Sequence, residues 1–443
     1  MPTEPQRADA GQAITRDMAL ATWGLFVGLA FLLLAGGLFG TLLGVRAELA
    51  GLPTGLIGLI SAAYFLGFVV GSRLTLWALN AVGHIRVYAA LAAVLSAAML
   101  GVGLTDSWVP WTLLRFVTGL CFAGQYVVAE SWLNDLATNE NRGRLLAIYT
   151  VIATAAFAVG QASIFAFDAE VVTGFALVSI ITSLAVVPVT LSEQAVAPSL
   201  EDSEHISMRE LAEIVPTGLG ACLLVGVAHG ALSGLPAVYA TRVGLPIVQV
   251  GLFAAAPSIG GVILQWPISA ASDDLDRRAV GLAAALGAMG TAVVLVLTPE
   301  AHWMVLVWFC LLGGLSYPLY SIAAAYTNDW IEPEHLNAAA SLLVTLYGVG
   351  AVVGPFVAAV MMSSMGPVGF FWSLFVLHAL IAVFFVHRMR SWRSPLVKRP
   401  WSEVSLPARA FYVPATIAAI GRRRRPRRRP ADRADDRAGS DSA

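Results

Sequence analysis

One sequence pattern occurs twice in this chain, first from residue 51 and again 193 positions later, from residue 244. Residues 51–67 and 244–260 share eight identities without a gap, and both stretches begin with Gly-Leu-Pro. Later landmarks keep the spacing with a drift of one residue: Gly119 with Gly313, Tyr126 with Tyr320, Asn134-Asp135 with Asn328-Asp329, and Gly160 with Gly354. Such a sustained match indicates a duplication. The chain therefore has to fold as two copies of one half.

Each half contains six apolar runs long enough to cross a bilayer, since about 20 apolar residues span the hydrocarbon region as a helix. The content of hydrophobic residues is 58%, only 12% of residues are charged, and the mean hydropathy is +0.75, all outside the range of soluble proteins. The runs lie near residues 18–45, 55–79, 87–105, 110–133, 145–166, 173–191, 216–239, 249–270, 279–298, 303–326, 340–362 and 367–387. The sequence predicts an all-α membrane protein with twelve transmembrane helices in two six-helix pseudo-symmetric halves.

Six spans in each half place the start of both halves on the same side of the membrane, which predicts parallel repeats. The first apolar run is too long for a signal-peptide core and lacks a clear cleavage site, so we expect it to be retained. Five segments follow: a cytoplasmic N-terminal tail (1–17), the N-terminal half (18–191), a cytoplasmic linker (192–215), the C-terminal half (216–387) and a basic cytoplasmic tail (388–443) that we expect to be disordered.

Basic residues concentrate on one side of the predicted spans, which predicts the orientation. Arg7, Arg16, Arg86, Arg142, Arg144, Arg209, Arg277, Arg278 and the C-terminal tail fall on that side, against Arg46 and Arg242 on the other. We therefore expect a multi-pass protein of the cytoplasmic (inner) membrane with both termini in the cytoplasm. The tail carries 15 Lys/Arg against 5 Asp/Glu, which suits contact with an anionic inner leaflet or plain disorder. Nucleic-acid binding is not expected, because no aromatic or folded platform accompanies the arginines.

Several motifs carry a family resemblance. They are Ser269–Arg278 after span eight, Leu76–Arg86 after span two, Leu113–Gly119 in span four, Asn141–Arg144, Gln265–Ile268 and Glu130-Ser131. Together they resemble the major facilitator superfamily, and within it the YcaD-like branch, whose members are mostly of unassigned substrate. The resemblance covers about residues 18–387. It implies the major facilitator fold and transport of a small solute.

The two loop motifs predict a gate. The acidic residue of the family pattern is kept as Asp273 but is Asn80 in the first copy, while the glycine is kept as Gly83 and is Asp276 in the second. An acidic group at a helix end beside loop arginines makes contacts that can form in one conformer and break in another. The predicted gating residues are Asn80, Gly83, Arg86, Arg142, Arg144, Asp273, Arg277 and Arg278. Simple solvation of the helix ends is the alternative.

Two charged residues inside span four are candidates for substrate or proton coupling. Arg115 lies about 6 Å inside the span at 1.5 Å per residue, where an arginine costs a few kcal/mol unless it snorkels. Its position resembles the family's cavity arginine, which implies proton coupling or recognition of substrate charge. Glu130 is a carboxylate near the cytoplasmic end of the same span. Its protonation would suit coupled transport, and a static pair with Arg142 or Arg144 is equally open.

Further polar side chains lie at depths where a central cavity would form: Tyr64, Gln125, Tyr126, His229, Gln265, Tyr317 and Tyr320. Interhelical hydrogen bonds are the default for each of them. His229 could relay a proton near neutral pH or be a structural histidine. At the outer mouth, Arg46 and Glu48 could steer charged solutes or merely solvate a helix end. Gly36, Gly40 and Gly44 predict close packing of a neighbouring helix.

The function that these features predict is secondary active transport of a small solute by alternating access, coupled to protons. The direction of transport is left open. Enzyme motifs such as His-Glu-x-x-His, Gly-x-Ser-x-Gly and the phosphate-binding Gly-x-x-x-x-Gly-Lys are missing from the chain. The expected partners are the solute, protons and anionic lipid, with no cofactor and no metal. The first alternative is a non-transporting membrane sensor or scaffold that keeps the transporter fold and signals through its basic tail. The second is a membrane-embedded enzyme.

Overall fold

The computed structural model describes residues 4–136, 142–191, 206–298, 303–332 and 335–391. These residues are almost entirely helical, with no strand among them, and twelve of their helical segments are long and apolar enough to cross a membrane. The predicted fold class is confirmed. The 192–205 part of the linker and the tail after residue 391 lie outside the described residues, as do the side chains of Arg142 and Arg144.

Sixteen α-helices are described. The first half contains α1 (Glu4–Leu49), α2 (Thr54–Val82), α3 (His84–Gly103), α4 (Trp108–Leu136), α5 (Arg142–Ala162), α6 (Val172–Leu184) and α7 (Val186–Leu191). A short helix, α8 (Met208–Ile214), precedes the second half. That half contains α9 (Pro216–Gly234), α10 (Pro236–Arg242), α11 (Ile247–Asp274), α12 (Arg277–Leu297), α13 (Met304–Ser316), α14 (Pro318–Asn328), α15 (Leu336–Met365) and α16 (Gly369–Ser391).

Three spans that the sequence predicts as single helices are interrupted. The pairs are α6 with α7, α9 with α10, and α13 with α14. A proline follows each break, namely Pro188, Pro236 and Pro318. Proline has no backbone N–H and cannot donate to the preceding turn, so the helix restarts at or near it. The breaks leave backbone carbonyls inside the bundle that other groups can use.

Glycines that recur between the halves make equivalent close contacts in both. A Cβ on Gly119 of α4 would collide with the backbone of Tyr64 on α2, and a Cβ on Gly313 of α13 would collide with the backbone of Pro257 on α11. Because Pro257 is the repeat counterpart of Tyr64, these two contacts occupy equivalent positions in the two halves. A second equivalent pair of close contacts joins Gly160 to the backbone of Leu34 and Gly354 to the backbone of Val227. The repeat therefore preserves the closest helix crossings.

The repeated Gly-Leu-Pro sequence forms the same turn in both halves. Gly51 and Gly244 have φ of 67° and 76°, the left-handed region that favours glycine. The N–H of Leu52 bonds to the carbonyl of Ala47 and that of Gly51 to the carbonyl of Glu48, which is a Schellman cap. Leu245 and Gly244 make the corresponding bonds in the second half. The proline that follows then begins the next helix in each half.

The halves meet through matched helix pairs. Helix α2 packs on α15 and α5 packs on α11, which are exchanged by the duplication, and α1 also contacts α10. Ser61 on α2 donates a hydrogen bond to the carbonyl of Gly234 at the end of α9, 3.0 Å away. We call the end of the bundle with the turns at Gly51 and Gly244 the distal end. The end with the turns at Gly83 and Leu275 is the proximal end.

Helix α8 is a short amphiphilic helix with its own cap. The Ser207 hydroxyl accepts from the N–H of Glu210, and the Glu210 carboxylate accepts from the N–H of Ser207 at 2.8 Å. This reciprocal pair fixes the first turn. The bond from the Ser207 N–H lowers the pKa of Glu210, because it stabilises the ionised carboxylate. The predicted linker thus ends in an ordered, capped turn next to α9.

Candidate functional site

A central cavity lies between the two halves. The first half contributes residues of α1, α2, α4 and α5 to its lining, and the second half contributes residues of α9, α10, α11 and the α13–α14 break. Its volume is about 80 Å³, on a measure in which one water needs about 10–15 Å³. The space therefore admits only a small solute in this conformation. A cavity shared by both repeats is where transporters of this architecture hold their substrate.

Arg115 of α4 brings the cationic charge into this cavity. Its guanidinium carbon lies 4.3 Å from the centre of the Tyr64 ring and 5.4 Å from that of Phe39, which are favourable cation–π distances. Opposite it is Gly40, where an added Cβ would find Arg115 Nη2 at 3.8 Å and no other atom within 4 Å. Gly36, Gly40 and Gly44 all line the cavity. Gly40 keeps space open beside Arg115, while Gly36 and Gly44 allow Phe122 and Ala237 to pack closely against α1.

The rest of the described lining is uncharged. Its aromatic members are Tyr64, Phe65, Phe122, Phe157 and Tyr317, and its other polar members are Thr41, Ser61, Gln161, Ser233 and Ser258. Among them, Ser61, Gln161, Ser233 and Ser258 are lining residues that sequence reasoning missed. Each is a polar residue inside a predicted apolar run, and Gln161 follows Gly160, a glycine of the repeat, which is the signal that points to it.

Glu130 lies at a different depth from Arg115. Fifteen residues separate them on α4, which is about 22 Å at 1.5 Å per residue, and Glu130 lies on the proximal side. Its side chain is buried and lies within electrostatic range of Tyr126 and Tyr320. Tyr126 and Tyr320 are counterparts in the repeat and come from opposite halves. The structure thus places a buried carboxylate on α4, outside the lining of the cavity.

His229 belongs to a buried network of the second half. Its Nε2 lies 3.0 Å from the carbonyl oxygen of Ser316 and its Nδ1 lies 3.0 Å from the Tyr347 hydroxyl. A carbonyl can only accept, so Nε2 carries the proton and Nδ1 accepts from Tyr347. His378 then accepts from the Ser316 hydroxyl at 2.8 Å and donates to Leu374. His229 therefore joins α9, α13 and α15 at the break before Pro318, and a proton relay through it stays a prediction.

The other predicted polar residues divide between the cavity and helix packing. Tyr64 lines the cavity with Arg115. Gln125 donates to the carbonyl of Tyr88 at 3.1 Å, and Gln265 donates to the hydroxyls of Ser269 and Ser321. Tyr126 packs on Phe68, while Tyr320 packs edge-on against Tyr347. Of the nine residues predicted for the cavity or for substrate and proton coupling, the structure brings Arg115, Tyr64 and Tyr317 into the lining of the cavity.

An ion pair joins the two halves at the distal end. Arg242 of α10 donates to both carboxylate oxygens of Glu48 on α1, with Nε–Oε1 at 2.6 Å and Nη2–Oε2 at 2.5 Å. Its Nη1 also donates to the Thr54 hydroxyl at 2.8 Å. Both charged residues precede a Gly-Leu-Pro turn, at positions one residue apart in the repeat. Sequence reasoning missed this pair. The signal that could have found it is the occurrence of opposite charges at neighbouring positions of the two copies.

Arg46 stands on the other side of α1 from this pair and makes its contacts within the first half. Its Nη2 lies 2.6 Å from an oxygen of Asp106, and Nη1 donates to the carbonyl of Gly103. Its guanidinium carbon lies over the rings of Trp111 and Phe175, at 5.5 and 5.2 Å. The side chain is buried, so the structure places Arg46 as a tie between α1 and the α3–α4 turn rather than at an open mouth.

The proximal loops differ between the halves. In the second half, Arg277 is buried and lies 2.7 Å from Asp329 and 3.1 Å from Asp273, while Arg278 pairs with Asp276 at 2.9 Å. These contacts join α11, α12 and α14 within one half. In the first half, Gly83 has φ 84° and closes α2 by bonding to Leu79, and Asn80 and Arg86 are exposed. Whether these contacts change during transport stays a prediction.

Comparison with known proteins agrees with this geometry. The family model described as Major Facilitator Superfamily matches residues 217–428, and the one described as Sugar (and other) transporter matches residues 45–192. The uncharacterized MFS-type transporter YcaD of Salmonella newport is 29% identical over 350 residues, covering 77% of this chain and 88% of that protein. Its namesake in Escherichia fergusonii is 28% identical over 341 residues, covering 76% and 88%. The chain is thus similar to the major facilitator superfamily over about three quarters of its length. The resemblance that the motifs carry is confirmed.

Solved structures of two membrane transporters have folds similar to that of this chain. The nucleoside transporter NupG, as its D323A mutant, has a TM-score of 0.70 at 9% identity, covering 84% of this chain and 100% of that one. A bacterial homologue of the human lysosomal transporter Spinster, inward-facing and occupied, has a TM-score of 0.66 at 16% identity, covering 85% and 97%. The family models and the YcaD relatives, together with the twelve spans, support a multi-pass membrane transporter of a small molecule, which is not an enzyme. The sensor alternative is not favoured.

Proposed function

We propose that this protein is a secondary active transporter of the cytoplasmic membrane, which moves a small solute by alternating access and couples the movement to protons. The observation that carries the proposal is the cavity between the halves, with an ion pair between Glu48 and Arg242 at its distal end. A contact that joins the halves at one end of a central cavity has to break before the solute can pass that end.

The charge distribution supports an orientation with both termini in the cytoplasm. Arg86, Arg277 and Arg278 follow the proximal turns, which makes the proximal end the cytoplasmic one by the positive-inside rule. The distal end is then external, and the conformation described here is closed towards the outside. The basic tail would contact the anionic inner leaflet in this orientation.

The buried Glu130 supports proton coupling. A buried carboxylate is costly while ionised and becomes neutral on protonation, so proton binding favours a conformation in which it is enclosed. Tyr126 and Tyr320, one from each half, lie within electrostatic range of it. Movement of the halves against each other therefore changes the surroundings of this carboxylate, which is the requirement for coupling.

The proposal is tested by thiol accessibility, which needs no knowledge of the substrate. Ala254 lines the cavity, and Ala254→Cys is introduced into a background in which Cys121, Cys222 and Cys310 are alanine. A membrane-impermeant thiol reagent is applied separately to each face of vesicles of known orientation. Glu48→Gln and Arg242→Gln are each expected to raise labelling from the outside and to lower it from the cytoplasmic side, because they weaken the closed distal end.

Glu213→Gln is the matched control, since it removes the carboxylate of an exposed pair with Arg209 on α8. It is expected to leave labelling from both faces unchanged. Unaltered labelling in both gate variants, with folded protein by size-exclusion chromatography, would contradict a distal gate. A parallel rise from both faces would contradict alternating access and indicate a leak.

A further inference from the structure

The chemistry of the cavity identifies a class of substrate, an inference that rests on the proposed transport function. We propose that the cavity binds a small organic monoanion with a flat apolar body, typified by an aromatic carboxylate, with the carboxylate on Arg115. Four properties of the described lining contribute to this assignment: its charge, the space beside Arg115, its hydrogen-bonding groups and its aromatic side chains.

Charge is the first criterion. Arg115 is the one charged residue of the cavity lining among the described residues, and no carboxylate belongs to that lining. Glu130 is about 22 Å away along α4. In a low-dielectric site the guanidinium of Arg115 would repel a cationic solute and attract a monoanion. The cavity therefore favours a single negative charge.

Geometry is the second criterion. The rings of Tyr64 and Phe39 hold the guanidinium in place at 4.3 and 5.4 Å. Gly40 leaves the space next to Nη2 open, since a Cβ there would already lie 3.8 Å from that nitrogen. A planar guanidinium presents paired donors that match the two oxygens of a carboxylate. The carboxylate of the solute fits beside Gly40, in contact with Arg115.

The hydroxyl groups of the lining argue against a polyhydroxylated solute. Thr41 donates to the carbonyl of Gly37 at 3.0 Å, Ser61 to that of Gly234 at 3.0 Å, and Ser233 to that of His229 at 2.6 Å. These protons are already used by the backbone and are not available to a ligand. Sugar recognition needs many such groups, so this lining does not suit a sugar.

The remaining walls suit an apolar, flat body. Phe65, Phe122, Phe157 and Tyr317 come from both halves of the protein. Gln161 adds an amide whose Oε1 is buried without a hydrogen-bond partner among the described residues, so it can accept from a hydroxyl or amine on the solute. The volume of about 80 Å³ corresponds to roughly five to eight waters, comparable with one carboxylate on one ring.

A matched ligand series tests this assignment on the wild-type protein. Benzoate, benzamide and benzamidinium have nearly the same shape and carry negative, zero and positive charge. Thermal unfolding of the purified full chain in detergent is measured with each at millimolar concentration. Benzoate alone is expected to raise the melting temperature, because a ligand that binds only the native state stabilises it. Equal or greater stabilisation by benzamide or benzamidinium would overturn the proposal.

Variants of Arg115 and Gly40 test whether the carboxylate of benzoate contacts Arg115. Arg115→Gln is expected to weaken benzoate binding about 10- to 100-fold, the loss of one charge-assisted contact, and Arg115→Lys to recover part of it. Gly40→Val keeps the charge and is expected to abolish binding by filling the space beside Arg115. Arg209→Gln on α8 is the control and should bind as wild type does. Benzoate that stabilises Arg115→Gln as well as wild type would contradict the site.

The two proposals fail separately. If benzoate does not stabilise the folded wild-type protein, the assignment of substrate class is wrong, while the thiol accessibility of Ala254→Cys still reports whether the halves alternate. If accessibility does not alternate but benzoate binds through Arg115, the site is correct and the transport cycle is wrong.

Discussion

At the scale of single residues, the same residue type has different roles according to what surrounds it. Arg46, Arg115 and Arg277 all lie within or at the ends of predicted spans. Arg46 is tied to Asp106 and two aromatic rings, and Arg277 is tied to Asp329 and Asp273. Arg115 instead faces the cavity over Tyr64. The sequence predicts that each arginine needs partners, because an isolated charge in the membrane is costly, but it does not say which partners.

The buried pair between Arg277 and Asp329 makes a residue-scale prediction. Their side chains are 1% and 0% exposed, so Asp329→Asn leaves a buried guanidinium with weaker compensation. We expect a loss of about 3–5 kcal/mol in the free energy of unfolding, measured by thermal or denaturant unfolding in detergent. Glu213→Gln, which breaks the exposed pair with Arg209, should have little effect. A comparable loss in both variants would show that burial does not set the cost.

At the scale of helices, the duplication is most visible in the closest crossings. Gly119 and Gly160 in one half and Gly313 and Gly354 in the other meet equivalent backbone segments. These glycines were landmarks of the sequence repeat, so the sequence identified the contact points before the structure showed what they contact. The sequence did not show the breaks before Pro236 and Pro318, because proline is tolerated inside α11 and α15 of the same protein.

Gly119→Ala tests these crossings. The added Cβ would collide with the backbone of Tyr64, which cannot move as a flexible side chain can, and overpacking of this kind costs about 1–3 kcal/mol. Lower thermal stability is therefore expected. Gly290→Ala on α12 is the control, because nothing lies within 4 Å of a Cβ there, and alanine favours a helix over glycine. Equal stability of the two variants would contradict a role of Gly119 in close packing.

At the scale of the whole molecule, the two halves have similar packing but different chemistry. Arg115 and Glu130 belong to α4, and their counterparts in the repeat are Phe309 and Ala324. The aromatic and histidine contacts of Phe309, Tyr347 and His229 instead make the core of the second half. Rocking of two similar bodies about a shared axis does not require similar charges, so duplication of packing and specialisation of chemistry are compatible.

Glu130→Gln tests the coupling at this scale. The ratio of outside to cytoplasmic labelling of Ala254→Cys is measured, because this ratio cancels the pH dependence of the thiol itself. It is expected to change with pH in the protein that keeps Glu130, because protonation of Glu130 shifts the balance between conformations. In the Glu130→Gln variant that carboxylate no longer titrates, so the ratio should become independent of pH. Glu213→Gln should retain the wild-type dependence. A pH profile that persists in Glu130→Gln would assign the proton site to another group.

The candidate site was predictable only in part. Arg115 and Tyr64 were identified because a charged or polar residue inside an apolar run needs an explanation, and the cavity supplies one. Gln125, His229 and Gln265 were identified by the same rule, but their side chains are used in hydrogen bonds that hold helices together. A single sequence does not distinguish these cases, since both require a polar group within a span.

The sequence by itself determined the number of spans, the duplication, the membrane class and the family, because these depend on local hydropathy and on patterns along the chain. Only the tertiary structure decided which residues meet. Glu48 and Arg242 are 194 positions apart and join because the two copies of one turn face each other at the distal end. Arg115 and Gly40 come from different helices and line one cavity, where the missing side chain of Gly40 leaves room beside the guanidinium. Such contacts depend on how helices are arranged in space, and that arrangement is absent from hydropathy and motif spacing.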